Sequence, residues 1–363
     1  MDWVTLRVME HMIPDATFGE MPPIMLLIVA AGGIYFLIKG ADCLVEGAAG
    51  LAYRLGMPKV IVGATVVSLG TTSPEAAVSV MAAWEGKADL ALGNAVGSII
   101  ADTGVVFGLG CVLSVLPANR FVLQRQGWVD IGVAFLLGVL CYGVFLLDPN
   151  QELGRWVGVL LVALLIVYMC VSVYWSRQHP HGEPFIERQE HAPEQHTEEG
   201  PVVKLVGLVL LGLILVIISS RFVIGSVSEL ASDWGIPKVV IASTIVAMGT
   251  SLPELVVGLT AVRKGHKEIL IGNVIGADIL NVLFVVGVSA LAAPLPVVDL
   301  SETAVYPNIF LYLHLPTMLL IIGLFLFFIR SSVKRGHFQR WHGYPLLGIY
   351  FLFLLLSWQF GKG

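Results

Sequence analysis

The sequence predicts an all-α membrane protein of ten transmembrane helices, arranged as two inverted five-helix repeats with broken motif helices at the membrane midplane. Three observations lead there. The chain is 56% hydrophobic and only 13% charged, with a mean hydropathy of +0.85, whereas soluble chains carry about 25% charged residues. The stretch 63–108 recurs without a gap at 242–287, an offset of 179 residues. A single long polar segment, 177–200, divides the apolar spans five and five.

Each element can be justified in turn. A helix crossing a bilayer needs about 20 mostly apolar residues. Such stretches run approximately over 24–52, 60–83, 88–115, 127–147, 154–175, 203–231, 239–262, 268–293, 309–330 and 343–360. The domain reading is a first repeat over 1–176 (motif 63–108), a polar linker over 177–202 and a second repeat over 203–363 (motif 242–287). An odd number of spans per half turns the second copy upside down, the arrangement typical of secondary transporters. In the repeat, Gly70, Thr71, Pro74 and Glu75 fall on Gly249, Thr250, Pro253 and Glu254. Gly93, Asn94 and Gly97 fall on Gly272, Asn273 and Gly276.

Lys and Arg set the orientation. The side reached after the first span carries fourteen of them and the other side five, which makes the former cytoplasmic and puts both termini outside. The expected location is the plasma (inner) membrane, multi-pass, with the 177–202 loop cytoplasmic. The first twenty residues lack a basic stretch followed by an apolar core, so no cleavable signal peptide is expected. The linker is rich in Pro, Glu and His and reads as solvated, its His179, His181, His191 and His196 showing no regular ligand spacing. Cys43, Cys111, Cys141 and Cys170 all lie in apolar spans and read as packing residues. Trp84, Trp128 and Trp175, at span ends, read as interfacial anchors. Nucleic-acid and phosphate motifs are absent, and no cofactor or obligate protein partner is implied beyond the bilayer itself.

The chemistry lies in the repeats. A carboxylate deep in a membrane costs several kcal/mol unless paired, yet Glu75 and Glu254 sit mid-span with no Lys or Arg in their spans. Each directly follows a proline, which lacks an N–H and breaks the helix. Carbonyls near Gly70 to Thr72, and near Gly249 to Ser251, are thereby freed. Thr71 lies four residues before Glu75, and Thr250 four before Glu254, on one helical face. Asn94, Ser98 and Asp102 are spaced by four on the next span, matched by Asn273, Ala277 and Asn281. These are hard oxygen donors, suited to Ca²⁺ and Na⁺ rather than Zn²⁺ or Cu⁺. Asp278 has no acidic counterpart and reads either as a ligand-shell residue or as a proton site. Gly63, Gly93, Gly97, Gly104, Gly272 and Gly276 read as close-packing residues.

GTTSPE and GTSLPE, each followed by GNAVGS or GNVIGA, resemble the two alpha repeats of the cation/Ca²⁺ exchanger superfamily, in particular the short prokaryotic form of its sodium/calcium branch. The resemblance implies that Glu75 and Glu254 bridge Ca²⁺ and Na⁺ sites, with Asp102 and Asn281 completing a central diamond. Thr71 and Thr250 would give backbone carbonyls, Ser98 a hydroxyl, and the long first and sixth spans would slide over the motif helices as the gate. Thr72 and Ser251 belong to the same expected metal set. The chain departs from the family pattern at Ala277, Ile99 and Asp278, and places its diamond Asp in the first repeat and its Asn in the second. The expected function is an antiporter, not an enzyme, that moves Ca²⁺ in exchange for Na⁺. An H⁺- or K⁺-linked exchanger of Ca²⁺ or another divalent cation is the alternative, and a membrane-embedded hydrolase using Ser73 a weaker one.

Overall fold

In the computed structural model, the described residues are 16–19, 21–84, 88–178, 200–234, 247–298 and 308–360. The first half contains α1 (Pro23–Leu55), α2 (Lys59–Thr71), α3 (Ser73–Trp84), α4 (Leu90–Leu113), α5 (Arg120–Leu147) and α6 (Arg155–Gln178). The second contains α7 (Val202–Asp233), α8 (Leu252–Arg263), α9 (Lys267–Ala292), α10 (Phe310–Val333) and α11 (Gly343–Phe360). A helical turn, Ala247–Thr250, precedes α8. Residues 239–246 of the expected seventh span and 179–199 of the expected linker lie outside the described residues.

Eight helices among the described residues are long and apolar enough to cross a membrane, in place of the ten expected. The two expected spans missing from that set are the ones carrying Glu75 and Glu254. Residues 59–84 are interrupted at Thr72, where φ is -83° and ψ -8°. Ser251 holds the matching place, with φ -87° and ψ 9°, directly before Leu252 and Pro253. Pro74 and Pro253 cannot donate to the carbonyls four residues back, at Gly70 and Gly249. The break is narrow, one residue of turn on each side, rather than an unwound segment.

Neighbour directions establish the inversion. Along α1, Gly33 lies against Val223 and Ser219, Gly40 against Val216 and Gly212, and Gly47 against Val209 and Leu205. As one chain advances the other retreats, so α1 and α7 run antiparallel. By contrast, Val60 to Ser68 on α2 ascends alongside Gly272 to Gly276 on α9, a parallel pair. Gly158 on α6 meets Gly287 and Leu291, and Gly104 and Gly108 on α4 meet Tyr350 and Gly343 on α11. Alternating spans with the second half inverted require these directions.

Burial separates centre from periphery. In its most apolar stretch α9 is 94% buried and α4 78%, against 33% or less for α1, α5, α6, α7 and α11. The α4 and α9 pair, which carries Asp102 and Asn281, is therefore the axis that the other helices wrap. Two short strand contacts link the halves: Glu152 and Leu153 pair with Pro296 and Leu295, and Pro117 bridges His337. Arg330 stacks on Trp128 at 4.3 Å and Arg125 on Trp175 at 5.3 Å, as expected of an interfacial belt. Trp84 is largely exposed at the end of α3.

Glycine makes the central crossing possible. A Cβ on Gly63 would fall 2.7 Å from the Ile269 carbonyl, and one on Gly276 2.5 Å from Ala64 backbone atoms. On Gly272 it would collide with the Val60 carbonyl. For Gly93 and Gly97 no described residue lies within 4 Å of an added Cβ. The residues that the offset would set against them, near 239–247, are outside or at the edge of the described part.

Gly272→Ala is expected to destabilise the folded chain by about 1–3 kcal/mol, the cost of overpacking against backbone that cannot yield. Gly132→Ala, where nothing lies within 4 Å, should change stability by less than about 0.5 kcal/mol. Thermal inactivation of the two variants in detergent checks the contrast.

Candidate functional site: a buried carboxylate cluster at the helix breaks

The two breaks meet two further irregularities. Asp102–Phe107 in α4 and Asn281–Val286 in α9 are π-helical turns, each opening on the expected diamond residue. Such wide turns recur at functional sites. Helix α3, which begins beside Glu75, packs on the turn of Asn281, and α8, which begins beside Glu254, packs on the turn of Asp102. Each half thus lays its proline-linked glutamate against the π turn of the other half.

All four polar groups are sealed from solvent: Glu75, Asp102, Glu254 and Asn281 are each 1% exposed. Among the described residues no partner hydrogen-bonds either oxygen of Glu75, Oδ1 of Asp102, Oε2 of Glu254 or Oδ1 of Asn281. Glu75, Asp102 and Glu254 are close enough for their charges to interact. Bringing like-charged, unpartnered carboxylates together in a dry interior costs several kcal/mol per group. A cation removes that cost.

The remaining predicted donors divide into two groups. Thr72, Ser98 and Ser251 are buried with unpartnered hydroxyls, and Ser251 faces Asp102. Thr71 is buried near Glu254, and its hydroxyl lies 3.3 Å from both the Ser68 carbonyl and Asn273 Oδ1. Thr250 instead lines a small cleft with Pro74, Gly249, Pro253 and Arg221, so it stands at the rim. Asp278 accepts a 2.5 Å hydrogen bond from Thr103 of the other half and keeps Oδ1 unpartnered. Asn94 donates to Ser79 at 3.0 Å. Ser73, the nucleophile of the hydrolase reading, donates to the Leu69 carbonyl at 2.5 Å.

Among the described residues no group of three or more His, Cys, Asp or Glu is placed to hold a metal ion. A cation held here therefore draws most of its oxygens from hydroxyl, amide and backbone groups. That donor set is hard and partly neutral, the chemistry of weakly held Ca²⁺ and Na⁺.

Family comparison follows this geometry. The model of the sodium/calcium exchanger protein family matches residues 25–174 and 204–359. The chain belongs to that family. The sodium/calcium exchanger MaX1 of Methanosarcina acetivorans is 30% identical over 347 residues, covering 89% of this chain and 96% of the relative. The inner membrane protein YrbG of Escherichia coli is 34% identical over 272 residues, 74% of this chain and 79% of the relative. The solved sodium/calcium exchanger of Methanococcus jannaschii superposes with a TM-score of 0.74 at 24% identity, over 92% and 99% of the two chains. That likeness shows a shared multi-pass helical fold.

In this exchanger the sequence reading missed several polar residues of the core. Ser68 sits beside Thr71, and Thr103 anchors Asp278. Asp130, buried on α5, lies near Asp278. Two glycines of the motifs owe their identity to α7. A Cβ on Gly70 would collide with Leu213, and one on Gly249 would come within 2.7 Å of Ile224. Leu213 and Ile224 are eleven residues apart, about 16 Å along the helix, so α7 presses on both breaks at once.

Where α1 meets the end of α8, Asp42 pairs with Arg263 at 2.6 Å and Lys264 at 3.4 Å, and Glu46 pairs with Lys264. Beside them Lys59 Nζ approaches His266 Nδ1 at 3.0 Å. Burial, then the charges of Lys59 and Lys264, hold the His266 imidazole down to about 4 from its ordinary 6.5. The unfolded chain takes up a proton here near pH 6.5, which the folded chain resists until about pH 4, so stability falls as pH drops through that window. The wild-type thermal midpoint is expected to fall between pH 7 and pH 5, and to fall less in His266→Gln, as a pH series of melting curves would show.

Proposed function

We propose that the chain is a secondary antiporter that moves Ca²⁺ across the membrane in exchange for Na⁺ by alternating access. The observation that carries this reading is the set of buried carboxylates Glu75, Asp102 and Glu254, each with at least one oxygen that no described residue hydrogen-bonds, where the two inverted halves cross. With Asn281 they line the crossing, where a cation would draw on no more than two carboxylates at once as they are placed here, and Thr71, Thr72, Ser98, Thr250, Ser251 and Asp278 would supply further oxygens. Three carboxylates cannot all stay ionised and empty in hydrocarbon, so the vacant site resists reorientation. Ca²⁺ or Na⁺ relieves the repulsion, and because both need the same oxygens they exclude one another. That exclusion is exchange. The names of the relatives support the choice of ions: one is a sodium/calcium exchanger, as is the structural neighbour.

The moving parts in this reading are α1 and α7. They lie along one another through Gly33, Gly40, Gly47 and Gly212, a surface without side-chain ridges to oppose sliding. The excess of Lys and Arg in the loops assigns the 177–202 segment to the cytoplasm and both termini to the outside. An inner-membrane relative supports that location. The chain would work as an ion carrier with no enzymatic step and no resident cofactor.

Radioactive Ca²⁺ uptake into Na⁺-loaded proteoliposomes tests the reading. Uptake is expected to require the outward Na⁺ gradient. In Glu75→Gln and Glu254→Gln it should fall by about two orders of magnitude, since losing one member of a buried charge contact costs about 2–5 kcal/mol. Uptake indifferent to Na⁺, or undiminished in both variants, would contradict it.

A further inference from the structure

Ser68 is a fully buried polar residue that the site chemistry above leaves unused. It lies on α2, one helical turn before Thr71 and Thr72. Its Oγ has no hydrogen-bonding partner among the described residues. A serine inside a helix commonly donates to the carbonyl one turn back. Here that carbonyl, of Ala64, belongs to the π turn Gly63–Val67 and accepts instead from the Tyr168 hydroxyl at 3.4 Å. A hydroxyl buried without a partner keeps its full desolvation penalty, which a cation at its oxygen would remove.

The helix opposite lacks what Ser68 offers. Within the gapless repeat, the first copy has hydroxyls at Ser68 and Ser98, and the second has alanine at both matching places, Ala247 and Ala277. Ala277 is fully buried on α9 and directly follows Gly276, where an added Cβ would fall 2.5 Å from Ser68 Oγ. The hydroxyl of α2 therefore reaches α9 beside the alanine. One turn before Ala277, on the same face of α9, Asn273 holds its Oδ1 3.3 Å from Thr71 Oγ1, which is itself 3.3 Å from the Ser68 carbonyl. Ser68, Thr71 and Asn273 thus form a run of uncharged oxygens where α2 meets α9. Packing alone asks only for a small residue at 68, and alanine, which the second repeat has at this place, is smaller and brings no hydroxyl to bury.

We propose that Ser68 is a counter-ion ligand: its hydroxyl, offered from α2, replaces the one missing from α9 at Ala277 and completes a Na⁺ position with the oxygens of Thr71 and Asn273. The proposal rests on the antiport reading and deepens it, by assigning the discrimination between the two ions to named residues. Hydroxyl and amide oxygens satisfy a monovalent ion, whereas Ca²⁺ calls for more oxygens, carboxylates among them. A hydroxyl at 68 therefore favours Na⁺ over Ca²⁺, and it can serve from either of the two helices that meet there.

The test is equilibrium Ca²⁺ binding to the purified full chain at rising Na⁺, which gives the affinity for each ion. Ser68→Ala is expected to weaken Na⁺ competition about tenfold and Ca²⁺ binding in the absence of Na⁺ by less than about threefold, since one neutral contact is lost from the Na⁺ position. Returning the hydroxyl to α9, in the double variant Ser68→Ala with Ala277→Ser, should recover most of the Na⁺ affinity, a result that repaired packing alone does not produce. If Ser68→Ala does not fold, Ser68→Cys, which keeps the shape but offers a soft sulfur, carries the same expectation. Unchanged Na⁺ competition in a folded single variant, equal weakening of both ions, or no recovery in the double variant would overturn the role of Ser68 alone. A wild-type chain whose Ca²⁺ binding is indifferent to Na⁺ would overturn the antiport reading, and this proposal with it.

Discussion

A carboxylate without a partner is among the costliest things a helical bundle can bury in hydrocarbon. This bundle buries Glu75, Asp102 and Glu254 in one place, each 1% exposed. The architecture around them is what holds three such groups together. The most enclosed helices, α4 and α9, bring the π turns at Asp102 and Asn281 to the centre. The broken helices deliver a glutamate to each turn from the opposite half. Proline does the breaking, at Pro74 and Pro253, and so frees backbone oxygens beside the carboxylates it positions. In a sealed bundle this concentration of negative charge is tolerable only with cations present, which ties folding and function to the same residues.

Close approach of backbones is the second constraint. The crossing of α2 and α9 admits no side chain at Gly63, Gly272 or Gly276, and small residues let membrane helices gain dispersion energy that hydrophobicity cannot supply there. The α1 and α7 pair uses the same device for a different end. Its glycines lie seven residues apart on α1, so a smooth strip faces α7 along much of the bilayer. Both pairs come into backbone contact, α1 against α7 at Gly40, Gly47 and Gly212 about as closely as α2 against α9. The ion pairs of Asp42 and Glu46 with Arg263 and Lys264 tie α1 to the end of α8. Arg263 is 60% exposed, and such pairs are worth about 1 kcal/mol or less. A contact that weak suits a latch better than a weld.

Much of this was legible in the sequence, for identifiable reasons. Span positions follow from apolar length, and the inversion from an odd count on each side of one polar segment. Glu75, Glu254 and Asp102 stand out because charge in an apolar run needs a reason. Pro74 and Pro253 announce the breaks, although not how narrow they are. The π turns carried no marker, since Asp102–Phe107 and Asn281–Val286 read as ordinary helix. Ser68, Thr103 and Asp130 carried no marker because their contacts depend on how the two halves fold together, as Thr103 to Asp278 does.

The central claim is that one set of oxygens serves both ions. Calorimetric titration of the purified chain with Ca²⁺ at rising Na⁺ addresses it directly. The account predicts that the apparent Ca²⁺ affinity falls steadily as Na⁺ increases, and that binding of either ion disappears when Glu75 and Glu254 are both changed to Gln. Ca²⁺ binding that is indifferent to Na⁺, or that survives the double substitution, would contradict it.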